Sequence, residues 1–296
     1  MVLIMHYCGT AVLEAHGPKE ARTAAASGAH LSTLAFSEAG SRSHFWAPCG
    51  TASRRNGHIV LNASKSWVTS ASHATAYVWS SKPLSAAGAS TLWLVPAGCP
   101  GLTVAGPFEG LGLRGNDSCP VDARDVEIPE SAMLGGDGEG FDIMMNIVLP
   151  VFSVLNAACS TGLMAGAIRR CVEHVTGTRH SDTAASLADL PTIRNYIARM
   201  RIKADMSEAL LADTIAAIQA KRDDMMLRVL ECKAAAAELA NEVLDLAMRI
   251  CGGAAFRKEV GVERFFRDAR AAGVMAPTTD ILYDFTGKAV CGMPLF

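Results

Sequence analysis

The segment Ile250–Asp284, ICGGAAFRKEVGVERFFRDARAAGVMAPTTDILYD, decides the fold. An apolar helical run ends at Gly252-Gly253, where glycine supplies backbone conformations closed to other residues. A further helix is predicted from near Val262. Ala276-Pro277 breaks it, and Thr278-Thr279 offers an N-cap for a last helix. The chain upstream reads as scaffold for this corner.

Working outward, the helical period extends far towards the N-terminus. Leu239, Val243, Leu246 and Ile250 recur at spacings of three and four, with Glu238, Glu242 and Asp245 on the neighbouring face. Before them Ile193, Ile197, Met200, Ala204, Leu211, Ile215 and Ile218 repeat the pattern behind Pro191, which suits a first turn. The stretch from Phe141 to about Val175 is apolar on nearly every side and reads as a central buried helix, kinked or started at Pro150. Long helices with narrow apolar stripes pack as a bundle, and a second apolar face predicts packing across subunits, hence a homo-oligomer. From about Leu31 to Pro129 the period is that of short β runs: LSTLAFS, HIVLNASKSWVTS after an Asn56-Gly57 turn, AYVWS, STLWLV and GLTVA. Their spacing is that of a sandwich or barrel. The first sixteen residues read as one helix stopped by Gly17-Pro18, and a second short helix is closed by Gly28.

Composition sets outer limits. A chain of 296 residues allows about two domains, and with half its residues hydrophobic and 19% charged it is globular. A net charge of −2 gives no field to hold a polyanion, so nucleic acid is not an expected partner. Nine cysteines form no CxxC or CxxH pair and read as reduced, mostly buried thiols of a cytoplasmic protein, with no metal site. His6, His44 and His174 have no partner at metal or triad spacing and read as surface or satisfied core residues. The apolar opening, interrupted by His6, Tyr7 and Glu14, makes a poor signal peptide and is too short for a membrane span.

Gly252-Gly253, Val262-Glu263-Arg264, Arg267-Asp268-Ala269 and Thr278 together resemble the C-terminal signature of the acyl-CoA dehydrogenases. Two tracts of the β region add to the resemblance. Leu34–Ser43, LAFSEAGSRS, is similar to the family's threonine-glutamate-proline, alanine-glycine-serine-aspartate loop, with Ser37 for Thr and Arg42 for Asp. Asn62–Ala71, NASKSWVTSA, is similar to its Gly-x-Lys-x-Trp-Ile-Thr-Asn strand. The resemblance implies an α+β fold: residues 1–30 as the remnant of a helical domain, 31–134 as a β-barrel or sandwich, and 135–296 as a four-helix bundle. It also implies FAD bound between the β domain and the bundles of two subunits.

By the same resemblance Phe36, Ser37, Trp67 and Thr69 lie along the flavin ring, where an aromatic plane covers the isoalloxazine and hydroxyls tune it. Ser41 belongs with the substrate. Arg179 reaches the pyrophosphate, Arg249 stands at a glutamine position, and Gly252, Gly253 and Thr278 lie against the cofactor. Glu-Gly precedes this Thr in the family, and the Glu removes the substrate α-proton; here the positions are Ala276 and Pro277. Members with the Glu on the first bundle helix carry it near Val151. Asp142, Asp280, Asp284 and Glu38 are the carboxylates available to replace it.

Residues 110–115, GLGLRG, satisfy GxGxxG. That fingerprint needs a strand handing over to a helix N-terminus, whereas a strand-like stretch with Pro120 follows, so the tract is instead similar to the family's GLRGS-type strand. The functional expectation is an FAD-dependent oxidoreductase acting on the CH–CH group of an acyl-CoA, as a dimer or tetramer or as a heteromer with a related subunit. The alternatives are a flavin monooxygenase and a non-catalytic subunit.

Overall fold

The computed structural model describes residues 1–41 and 44–296, so Arg42 and Ser43 of the loop just quoted lie outside the described residues. The chain divides into two compact units, one of residues 1–110 and 114–152, the other of 111–113 and 153–296.

The first unit opens with helices α1 (Val2–His16) and α2 (Lys19–Ala26), then strands β1 (Ser32–Ala35), β2 (Thr51–Arg55), β3 (His58–Val68), β4 (Ala76–Ser81), β5 (Thr91–Pro96), β6 (Leu102–Val104), β7 (Cys119–Pro129) and β8 (Met133–Leu134). They form two four-stranded sheets, in the orders β1-β4-β5-β8 and β2-β3-β7-β6. Asn56 and Gly57 both take positive φ, as the expected two-residue hairpin between β2 and β3 requires. Alternation along β7, broken by an extra residue between Ala123 and Val126, sends Val121, Ala123, Val126 and Ile128 into the core, where they meet Trp79 and Trp93, cross-strand partners without solvent exposure. Helix α1 packs on β1, and Gly9 permits it, because a Cβ there would come within 2.8 Å of Ser32 Cβ. His6 is a satisfied residue: its Nδ1 accepts from the Ser32 amide at 3.1 Å.

The long apolar stretch is not one uniform helix. Helix α3 (Gly140–Ile143) runs into a π turn at Met144–Val148 and then into α4 (Leu149–Gly177). Pro150 explains the widened turn, because it has no N–H to continue an i→i−4 ladder. Residues Gly140–Gly177 are long and apolar enough to cross a membrane by length and composition alone. More than half of that apolar window, 56%, is buried inside the protein, as in a core helix.

The second unit is helical: most of α4, then α5 (Pro191–Ala220), α6 (Met225–Cys251), α7 (Val262–Val274) and α8 (Thr279–Val290). Helices α5, α7 and α8 all pack on α6. Its core joins Met164, Ala167 and Cys171 of α4 to Met200 of α5 and to Val243, Ala247 and Ile250 of α6. Gly166 lets Phe265 of α7 sit against α4. The unit also includes Leu111–Leu113, the centre of the GxGxxG tract, which forms an irregular strap rather than the expected strand. Arg267 donates to the Leu111 carbonyl at 2.9 Å, and Asp268 accepts from the Leu113 amide at 2.7 Å. At Gly112 any Cβ would collide with the Arg267 carbonyl, so this glycine serves a close approach to α7 and not a phosphate.

Candidate functional site

On the first unit, the two tracts singled out in the sequence lie side by side. The Ser66 amide donates to the Ser37 carbonyl at 2.9 Å, and Thr33 Oγ1 donates to the Thr69 carbonyl at 2.7 Å. Strand β3 carries one extra residue between Lys65, opposite Val121, and Val68, opposite Cys119. Strict alternation would send Lys65 and Val68 to opposite faces; the bulge buries both and turns Trp67 outward between them. Trp67 is 66% exposed, touched edge-on by Phe108 with ring centres 6.2 Å apart.

The other expected residues of this face play unequal parts. Thr69 is buried, its hydroxyl 3.3 Å from Ser118 Oγ. Ser37 is half-buried, its carbonyl against the Ser66 amide. Phe36 is buried and stacked on Phe45, with ring centres 6.4 Å apart. Ser41 Oγ donates to the Glu38 carbonyl at 3.0 Å and so closes its own turn. Asn116 and Ser118 are buried next to Thr69, which the reading by motif passed over.

Beneath this face lies an ion pair also missed in the sequence. Lys65 Nζ, with no solvent exposure, donates to Glu38 Oε1, to the Ser80 carbonyl at 2.7 Å and to Ser80 Oγ at 3.0 Å. Glu38 Oε2 accepts from the amides of Cys49 at 2.6 Å and Gly50 at 2.8 Å. Burial pulls the Lys65 ammonium down to about 8, against the opposing pull of Glu38, and the Trp79 ring lies 5.1 Å below it. Glu38 is thereby committed to holding Ser37 and Trp67 in register and is not a free base. Its signal in the sequence was a lysine at an inward position of an apolar strand.

On the helical unit, Gly252 ends α6 at φ +54, and beside both Gly252 and Gly253 an added Cβ would meet open space. Thr278 is the N-cap of α8, its Oγ1 accepting from the Ile281 amide at 3.4 Å, as expected. Arg179 is exposed and donates to the Ala184 carbonyl at 3.0 Å. Arg249 lies over the Tyr196 ring at 5.2 Å, with Nη2 3.4 Å from the phenol oxygen, a partner the sequence did not disclose. Ala276 and Val151 are half-buried, so neither expected base position carries more than hydrocarbon. Of the alternative carboxylates Asp142 and Asp280 are exposed, and Asp284 pairs with Lys288 at 3.0 Å.

Lys233 of α6 belongs to the same corner. Without solvent exposure, its Nζ donates to the carbonyls of Ala272 at 3.1 Å, Met275 at 3.1 Å and Pro277 at 2.8 Å. Burial pulls it, too, down to about 8. Among the described residues no group of three His, Cys, Asp or Glu side chains could hold a metal ion. The first unit presents an open indole plane beside ordered hydroxyls, and the helical unit presents main chain with room beside it. The indole plane and hydroxyls of the first unit fit a planar heteroaromatic ring.

Comparison with known proteins agrees with this layout. Residues 33–126 match the model of the acyl-CoA dehydrogenase middle domain, and residues 138–291 that of the acyl-CoA dehydrogenase C-terminal domain. The human mitochondrial short-chain specific acyl-CoA dehydrogenase is 30% identical over 258 residues, covering 86% of this chain and 61% of that protein. Cyclohex-1-ene-1-carbonyl-CoA dehydrogenase of Syntrophus aciditrophicus is 26% identical over 88% of this chain and 63% of its own. The chain thus spans less than two thirds of the length of these relatives. Among solved structures, butyryl-CoA dehydrogenase from Megasphaera elsdenii superposes with a TM-score of 0.91 at 21% identity, over 98% of this chain and 77% of that one.

Proposed function

The chain belongs to the acyl-CoA dehydrogenase family, and from that premise we propose that it is an FAD-dependent oxidoreductase acting on the CH–CH group of an acyl-CoA thioester. The observation that carries this reading is the exposed Trp67, turned out by the β3 bulge and held beside Ser37 and Thr69 by the buried Lys65–Glu38 pair. When bound, the flavin supplies the acceptor for a hydride from the substrate β-carbon. The residues of this chain bind and orient. Trp67 covers the ring, the Ser37 and Thr69 hydroxyls and nearby main chain fix its edge, and Gly252 and Gly253 allow close backbone approach. Arg179 and Arg249 offer guanidinium groups to the pyrophosphate. Ile202 and Met206, exposed one turn apart on α5, support a homo-oligomer through that face.

The proton has no acceptor at position 276 or 151. Glu38 and Asp284 are engaged by lysines, which leaves Asp142 and Asp280 as exposed carboxylates open to the role. Anaerobic addition of acyl-CoA thioesters to the FAD-loaded protein is expected to bleach the flavin absorption slowly. Ala276→Glu is expected to speed that reduction by about 10²-fold, within the range of a general base. A flavin that no thioester bleaches in either form would sink the reading. Ala276 favours one second reading, a flavin monooxygenase that needs no α-proton base. It is distinguished by oxygen consumption in the presence of a flavin reductase.

A further inference from the structure

Helix α7 ends at Val274 and α8 begins at Thr279. The last carbonyls of a helix have no partner within it, and a cation at that end also meets the negative pole of the helix dipole. Lys233 supplies that cation from the neighbouring helix. Its three N–H groups meet three carbonyls that straddle one position: Ala272 in the last turn of α7, Met275 immediately before Ala276, and Pro277 immediately after it. The Met275 amide is tied separately to the Ala271 carbonyl at 3.0 Å, and Thr278 caps the next helix. Main chain is therefore fixed on both sides of residue 276 by one side chain.

We propose that Lys233 is a positioning residue for the reaction, clamping the turn of residues 272–277 so that whatever stands at 276 is presented in one fixed place. The proposal rests on the reading above for its catalytic half, because it takes residue 276 to face the thioester. Its structural half stands on the three carbonyl bonds alone.

The test uses the FAD-loaded protein in four forms: wild type, Ala276→Glu, Lys233→Met and the double variant. Amide hydrogen exchange is followed alongside flavin reduction by an acyl-CoA. In Lys233→Met, exchange at the amides of residues 275–282 is expected to rise tenfold or more, while that of the α4–α5–α6 core is unchanged. The roughly 10²-fold gain of Ala276→Glu is expected to collapse in kcat in the double variant, with KM little altered, a split that general loosening of the fold would not produce. Unchanged exchange at residues 275–282, or a double variant that keeps the full gain, would overturn the proposal. If Ala276→Glu gains nothing even with Lys233 intact, the thioester reading fails, and the exchange profile alone decides whether Lys233 holds the turn. Should Lys233→Met fail to fold, Lys233→Gln, a shorter neutral donor, takes its place with the same readouts.

Discussion

Each unit buries one lysine completely, and the two are held in different ways. Lys65 faces a carboxylate, Glu38, whose other oxygen gathers the amides of Cys49 and Gly50, so charge binds one loop to one strand. Lys233 spends its donors on three main-chain carbonyls around a helix end. Burial lowers both ammonium groups to about 8. The difference lies in what each would leave behind. Without Lys65 a buried carboxylate is stranded; without Lys233 three main-chain carbonyls lose their donor. Buried charge is used on the Trp67 face to set register between two sequence tracts, and at the bundle corner to hold a turn.

The largest effect that separates them is on stability. Lys65→Met is expected to cost about 3–5 kcal/mol, because Glu38 remains buried without its partner, read as a fall in the urea midpoint at constant slope. Adding Glu38→Leu should recover much of that loss. A loss under about 1 kcal/mol would show that the pair is no better than a surface one. Lys233→Met should cost about 1–3 kcal/mol, the penalty of unsatisfied polar groups. If it costs as much as Lys65→Met, the two regions are not held differently after all.

The smaller effect is on pH dependence. Lys233 titrates at 10.5 when free and at about 8 when folded. Between those values the unfolded chain holds more protons, so its contribution to stability rises as pH climbs from 8 towards 10.5. Lys233→Met lacks this gain. The stability difference between wild type and variant should therefore grow in favour of the wild type across that window, as measured by urea unfolding at each pH. A difference that is flat with pH would mean that the folded ammonium is not strained by burial.

The helical corner was legible in detail, because Gly252-Gly253, Pro277 and the Thr278 cap each announce a backbone event within a few residues. The hairpin at Asn56-Gly57 was legible for the same reason. The two buried lysines were not. Lys233 continues the inward stripe of Val229, Ala236, Ala240 and Val243 at helical spacing, yet only the turn between α7 and α8, some forty residues on, explains why a cation sits there. The π turn before Pro150 and the β3 bulge escaped because both insert a residue into a regular period, and period is what sequence reading measures. The GxGxxG tract was rightly refused as a nucleotide motif, but its attachment to Arg267 and Asp268 spans more than 150 residues and leaves no local trace.

The measurement that bears most directly on the account is equilibrium titration of the purified protein with FAD, followed by visible absorption, for wild type beside Trp67→Ala. Trp67 is an exposed residue, so its removal should change the urea midpoint by no more than about 0.5 kcal/mol equivalent. The wild type is expected to hold one FAD per chain, and the variant to bind it at least tenfold more weakly. A wild type that stays colourless with excess FAD, or a Trp67→Ala variant that binds it equally well, would contradict the assignment of the β3 face to a flavin.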